Sequence, residues 1–235
     1  MRVLVIDQCS GSKDVPDRAP AFDIDAIDGP GLDALRDRDG VPVKPARNLY
    51  AGRQQRYIDG AVDALQEAGT NITRVFVSAG FGVIDDREPL PPYEVTFSDY
   101  DETAIRERAD RLAIPADIRA LLTATPSYDI VVFALGSEYY HAIDLPAALE
   151  TLPESSIGVV FNQETVAEDY DNVVSIPART AQAKEHETIT VALKGVYLQH
   201  FAGHVANGAA VETIDDAERY CTTDPTTQTG LDAFE

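Results

Sequence analysis

The sequence predicts an α/β fold: a single three-layer domain with a mostly parallel sheet of about five strands flanked by helices. Two observations point to it. Short continuous apolar runs read as strands buried on both faces, and segments with helical spacing alternate with them. The strand runs are "RVLVID" (2–7), "TRVFVSAGFGVI" (73–84), "YDIVVFALG" (128–136), "SSIGVVFN" (155–162) and "NVVSIPA" (172–178).

Taken in order, the first run ends in the loop "QCSGSKD", and residues 14–47 read as irregular, rich in Asp, Pro and Gly, with a turn at "DGPG". "GRQQRYIDGAVDALQEAG" follows as a helix, with Tyr57, Ile58, Ala61, Val62 and Leu65 at helical spacing and Gly69 as its stop. The second strand breaks at Ser78 and leads into the proline-rich loop "EPLPPYEVTF". "DETAIRERADRLAIPADIRALLTA" is helical with an interruption near Pro115, where proline starts a fresh helix. "SEYYHAIDLPAAL" opens another helix after the third strand. "TAQAKEHETITVALKGVYLQHFAGHVAN" reads as one long amphipathic helix with a central glycine. The domain therefore covers residues 1–211, and 212–235 reads as a polar C-terminal tail without periodicity.

An apolar fraction of 44% suits a globular core. Asp and Glu total 40 against 19 Lys and Arg, a formal charge of −21, which is the balance expected of a protein adapted to a salt-rich cytosol. No apolar run approaches the ~20 residues of a membrane span, and the N-terminus lacks a secretory pattern, so a cytoplasmic protein with no membrane partner is expected. Two cysteines are too few for a secreted disulfide framework, and no Cys/His spacing suggests zinc, so no metal site is assigned. His141, His186, His200 and His204 fall on predicted helices. His200 and His204 share a face, but without the Glu of a zinc-protease motif.

Ligands of open α/β sheets bind beyond the carboxyl ends of the strands. Three loops there, "QCSGSKD", "SAGFGVI" and "LGSEYYH", combine Gly and Ser with polar or aromatic residues, so that backbone N–H groups can approach an anion. They predict one polar pocket with Ser10, Gly11, Ser12, Ser78, Gly80, Gly82, Gly136 and Tyr140 in its walls. Lysine occurs only at positions 13, 44, 184 and 194, so its retention in the first loop is suggestive. Lys13 is the leading candidate catalytic or anion-holding group. Cys9 is either a nucleophile or a small packed thiol. In "ARNLYAGRQ", Asn48, Tyr50 and Gly52 are further candidates beside Arg53 and Arg56, and Tyr93 sits in a loop stiffened by prolines. Tyr50 and Tyr93 read equally as ligand contacts or as half-buried caps on the core. Glu94 and Asp99 are acid/base candidates among many solvated carboxylates. The first loop is neither a phosphate loop of the GxxxxGK[ST] type nor a three-glycine dinucleotide fingerprint.

The ordered set "CSGSK", "ARNLYAG", "VFVSAGFGVIDDREPLPPYEVTF" and "VVFALGSEYY" resembles an uncharacterised family of small prokaryotic and phage proteins. It is also similar to the YaaA-type peroxide-stress proteins and, more loosely, to a Cys-Ser…Lys domain of archaeosine synthase. The matching positions are Cys9, Ser10, Lys13, Leu49, Tyr50, Gly52, Ser78, Gly82, Pro92, Tyr93, Gly136 and Tyr140. Where those relatives carry a lysine in "SAKYG", this chain has Gly80, followed by Phe81. The resemblance implies a three-layer α/β domain associated with nucleic acid or modified nucleobases, and no settled reaction or cofactor. It implies a nucleobase-, nucleoside- or nucleotide-binding protein, with a transferase, glycosylase or lyase as the enzyme classes considered. The alternative is a non-catalytic DNA- or RNA-binding stress or defence protein, with Arg47, Arg53, Arg56 and Arg87 forming a basic stripe.

Overall fold

A computed structural model of the chain describes residues 1–16, 21–29 and 31–226. Strand β1 (Arg2–Gln8) is followed by the short helices α1 (Ile24–Asp28) and α2 (Gly31–Arg36), the two-residue strand β2 (Lys44–Pro45) and the single turn α3 (Ala46–Leu49). Helix α4 (Arg53–Glu67) leads into β3 (Asn71–Ser78), β4 (Gly82–Asp85) and β5 (Pro89–Leu90). Helices α5 (Glu102–Arg111) and α6 (Ile114–Leu122) precede β6 (Ile130–Ala134), and α7 (Ser137–Ile143) and α8 (Leu145–Leu149) precede β7 (Ile157–Phe161). The turn α9 (Glu164–Ala167), strand β8 (Val173–Ile176) and helices α10 (Thr180–Glu185), α11 (Leu193–Ala206) and α12 (Ile214–Thr222) complete the described part.

The main sheet has the order β4-β3-β1-β6-β7-β8, and only the β3–β4 pair is antiparallel. β1 is central because its residues alternate strictly between two apolar layers. Leu4 and Ile6 join the layer containing Ile105, Ile118 and Leu149, while Val3 and Val5 join Ile58, Leu65, Leu198 and Phe201 on the other face. The three-layer α/β expectation holds, with six strands in the main sheet. The extra one arises because "TRVFVSAGFGVI" contains a hairpin: Gly82, at φ 82°, turns the chain back so that Val83 pairs with Val77. The chain adds β3 on one side of β1 and then β6 on the other, so the sheet reverses direction between β1 and β6.

Other expectations need correction. Residues 14–47 include two short helices; Asp23 caps the first by accepting from the Ala26 N–H at 2.9 Å, and Ile27 and Leu35 anchor them in the core. Such one-turn pieces are too short to show a period. Residues 17–20 and Pro30, the latter inside the expected "DGPG" turn, lie outside the described residues. The long helix over 180–207 is in fact broken, with Glu187 at φ 50° and a 3₁₀ turn at Thr190–Ala192 before α11 begins. α11 is apolar around much of its circumference because it is sandwiched between α4, α12 and the sheet. Its Gly195 lies against α4 so closely that a Cβ there would come within 2.8 Å of the Gln54 carbonyl oxygen.

The tail also has structure. Thr213 and Asp216 form a capping box at the start of α12, which buries Ala217 and Cys221. His200 Nδ1 lies 3.2 Å from the Cys221 carbonyl and His204 Nε2 lies 3.0 Å from that of Thr223, so this pair of imidazoles ties α12 to α11. Residues 227–235 of the expected tail lie outside the described residues. Among the described residues no helix is long and apolar enough to cross a membrane.

Charge is also buried. Asp7, wholly enclosed at the end of β1, accepts from Arg74 Nη2 on β3 at 2.8 Å, from Gln54 Nε2 at 2.8 Å and from its neighbour's N–H at 2.8 Å. Gln54 also donates to the Ala134 carbonyl at 2.8 Å and Gln55 to that of Gln8 at 3.1 Å, so the first turn of α4 is stitched to the ends of β1 and β6. Arg74 further bonds Asp59 and lies 4.4 Å above the Phe76 ring centroid. Removing one partner of a buried pair strands the other. Arg74→Met is expected to lower the unfolding free energy by about 3–5 kcal/mol in chemical denaturation. The double variant Asp7→Leu/Arg74→Met should lose far less.

Candidate ligand-binding site

The loop after β1 is strapped to residues 49–51. Asp14 N donates to the Leu49 carbonyl at 2.8 Å, Ala51 N to that of Ser12 at 3.0 Å, and Lys13 and Tyr50 form a β-bridge. Ser10 Oγ accepts from Ser12 N at 3.1 Å, closing the turn. A Cβ at Gly52 would overlap Gln55 Oε1 and lie 2.6 Å from Ser10 Oγ, so both side chains would have to move. The Lys13 ammonium donates to the Ser10 carbonyl at 3.1 Å and sits 4.2 Å from the Tyr93 ring centroid. Burial holds Lys13 below the ordinary lysine pKa, opposed by Cys9 and Glu94.

Beside this loop runs a groove of about 740 Å³ lined by Lys13, Lys44, Arg47, Asn48, Arg56 and Asp59 among others. Lys44 is paired with Asp14 at 2.7 Å, and Arg47 with Asp63 at 3.0 Å. Arg53 and Arg56 are exposed and have no ion pair among the described residues. They sit on the first turn of α4, which has no side-chain cap and no acidic residue. Cations are unfavourable at the positive end of a helix dipole, so an anion there would relieve two costs together. Burial pushes the Asp59 carboxyl up, against the lowering effect of Arg74 and Arg47. The groove thus contains an amine whose proton affinity is lowered by burial and a carboxyl whose proton affinity is raised by it, the latter already bonded to Arg74 and Arg47.

The expected single pocket from three loops does not form. Tyr50 and Tyr93 are each 1% exposed, and their hydroxyls meet at 2.6 Å, with Ser78 Oγ 2.7 Å from that of Tyr93. Both rings are more deeply buried than a half-buried cap, and Tyr50 lines the floor of the groove. Ser78 Oγ also accepts from the Gly80 and Phe81 N–H groups at 3.2 and 3.1 Å, and Arg108 donates to the Ala79 carbonyl while its guanidinium takes both Asp28 oxygens at 3.1 Å. The 78–82 turn is therefore sealed. A Cβ at Gly80 would lie 2.8 Å from the Tyr93 ring, which is why no lysine fits this backbone there. Gly82 serves the hairpin.

Cys9 is 4% exposed, with Sγ 3.0 Å from the Tyr139 hydroxyl, in the interior and outside the groove lining. This places it as the packed thiol. Gly11 and Ser12 are exposed on the loop crest, and Glu94 and Asp99 are exposed. Tyr140 is a structural brace, donating to the Phe133 carbonyl at 2.9 Å and accepting from Phe161 N at 2.9 Å. Gly136 N donates to Gln8 Oε1 at 2.6 Å, bridging the strand ends where the sheet reverses.

At that reversal lies a second cavity, of about 340 Å³, between the carboxyl ends of β1, β6, β7 and β8. Its charged group is Lys194, which the sequence places on a helix without marking it as a site residue. Burial lowers its pKa to about 8 despite Asp7 and Glu138 nearby. The scarcity of lysine is the signal that could have marked it. A larger cavity of about 890 Å³ opens at the opposite edge of the strands among Asp129, Glu154, Asp171 and Glu212, away from the carboxyl ends. Among the described residues no three His, Cys, Asp or Glu side chains gather as a metal site.

No protein-family model matches the chain, and no curated protein matches it in sequence.

Tyr93→Phe is expected to cost about 1–3 kcal/mol of stability by leaving the Tyr50 hydroxyl and Ser78 with a lost partner, measured by urea unfolding. Burial raises the Tyr50 and Tyr93 phenols, so the unfolded chain ionises first. Their contribution is complete below about pH 10 and is lost as pH rises beyond it, and the alkaline fall in unfolding midpoint should be shallower in Tyr93→Phe.

Proposed function

We propose that the protein binds a nucleotide-like small molecule through its phosphate, in the groove beside Lys13, and acts on it there. The observation that supports this reading is Lys13 and the unpaired Arg56 along one groove, beside the ion-paired Lys44 and Arg47, in a chain with charge −21. A cytoplasmic protein facing high salt fits the acidic balance, because screening relieves the self-repulsion of such a surface. The resemblance to proteins associated with modified nucleobases points the same way. Lys13 holds the anion or serves as the reactive amine, Arg56 supplies unpaired charge in the groove, and Asp59, bonded to Arg74 and Arg47, fixes its wall. The nucleic-acid alternative is weakened by Arg47 and Arg87. Arg47 is paired with Asp63 and Asp59, and Arg87 faces Asp86 at 3.8 Å, so no continuous stripe of free cations remains.

Thermal-shift titration tests the reading. AMP or GMP should raise the melting temperature, and adenosine or guanosine should do so much less. Lys13→Ala and Arg56→Ala should each weaken nucleotide binding about tenfold, as ~1–2 kcal/mol per charge-assisted contact requires. Affinity should fall as KCl is raised. Equal shifts with nucleoside and nucleotide, or none with either, would remove the phosphate site.

A further inference from the structure

The cavity at the sheet reversal is distinct from the basic groove and lies on the other side of the first turn of α4: Gln54 lines the one, Arg56 the other. Its volume of about 340 Å³ suits a metabolite-sized occupant. Apolar walls come from Phe161, Ala178 and Val191. Three lining groups carry no hydrogen bond among the described residues: the side-chain nitrogen Nε2 of Gln8, the Ser137 hydroxyl and the Gln163 carboxamide. The Lys194 amine donates to the Leu135 carbonyl and forms no ion pair among the described residues. An ammonium has three donors, so two remain for an occupant. The mouth is flanked by an apolar lip, with Ile189 47% and Val191 68% exposed.

We propose that this cavity takes a small aldehyde or ketone with polar substituents and that Lys194 condenses with it to a Schiff base. The neutral amine adds to the carbonyl carbon, forming the N–C bond. The carbinolamine hydroxyl then takes a proton from solvent at the open mouth and departs as water, leaving the protonated imine, and no oxidant or reductant is consumed. Three features suit the step. Phe161 and Ala178 give the cavity an apolar side, the Gln8, Ser137 and Gln163 side chains at its open mouth can hold the substituents, and the Leu135 carbonyl aims the amine. The charged groups that act on Lys194 are Asp7 on β1 and Glu138 on α7; Asp7 is already neutralised by Arg74. The low proton affinity of Lys194 supports the geometry, since an amine near pH 8 offers far more free base at neutrality than an ordinary lysine.

Reductive trapping tests this with the full chain. The protein is treated with glycolaldehyde and cyanoborohydride at about pH 7.5, and adducts are located by peptide mass spectrometry. The neutral fraction of Lys194 exceeds that of an ordinary lysine by roughly two orders of magnitude there, so Lys194 should be labelled at least about tenfold faster than exposed Lys184. The pH profile of labelling should reach half-maximum near pH 8 at Lys194 and climb well beyond it at Lys184. Lys194→Arg should lose the adduct while keeping AMP binding in the groove. Labelling of Lys194 no faster than Lys184, or a profile matching that of Lys184, would overturn the proposal. Because the wild-type lysines compete within one molecule, this comparison does not depend on the variant folding.

Discussion

The buried contact between Asp7 and Arg74 is the constraint on which the rest of the arrangement depends. A carboxylate with no exposure is tolerable only if its lone pairs are occupied, and Arg74, Gln54 and a main-chain N–H occupy them. The partners come from β3, α4 and β1 itself, so satisfying one charge fixes three elements at one end of the sheet. That end is where the strands release their loops. The groove and the reversal cavity are both built on the α4 turn held by this network, and neither would keep its shape if Gln54 and Gln55 were free to turn.

Much of the fold is legible in the residues. Four of the five apolar runs and the α4 periodicity translate directly into elements, because buried parallel strands and amphipathic helices leave strong local patterns. The failures have physical causes. A hairpin inside "VFVSAGFGVI" looks like one strand because both arms are apolar and the turn is made by small residues. α11 merges with α10 on paper because the break at 186–192 contains no proline. α12 escapes notice because a nine-residue helix packed mainly through Ala217 and Cys221 shows too little apolar surface to register.

The site is legible only in part. Lys13 and the loops can be located because ligand sites follow strand ends, but whether a side chain faces a cavity or the core is a tertiary fact. Tyr50, Tyr93 and Cys9 have the composition of a site and the surroundings of a core. Lys194 shows the reverse case. Apart from the scarcity of lysine, "VALKGVYLQ" does not distinguish it from a helix-surface lysine until α11 is laid against the strand ends. The departure at Gly80 is also clearer in three dimensions: the Tyr93 ring occupies the space that a longer residue would need, so backbone and aromatic have been matched to each other.

Gly195 illustrates how chemistry can hang on a residue that has none. Its bare Cα lets α11 rest on the α4 backbone at Gln54, and the next residue toward the N-terminus is Lys194. The amine is thus registered by main chain touching main chain, a contact with no rotamers to relax. A methyl group at 195 would wedge the two helices apart and swing the adjoining lysine on its axis, detuning an ionisable group without altering any atom near it. Selection on reactivity at one position would then be read in the sequence as intolerance of bulk at its neighbour.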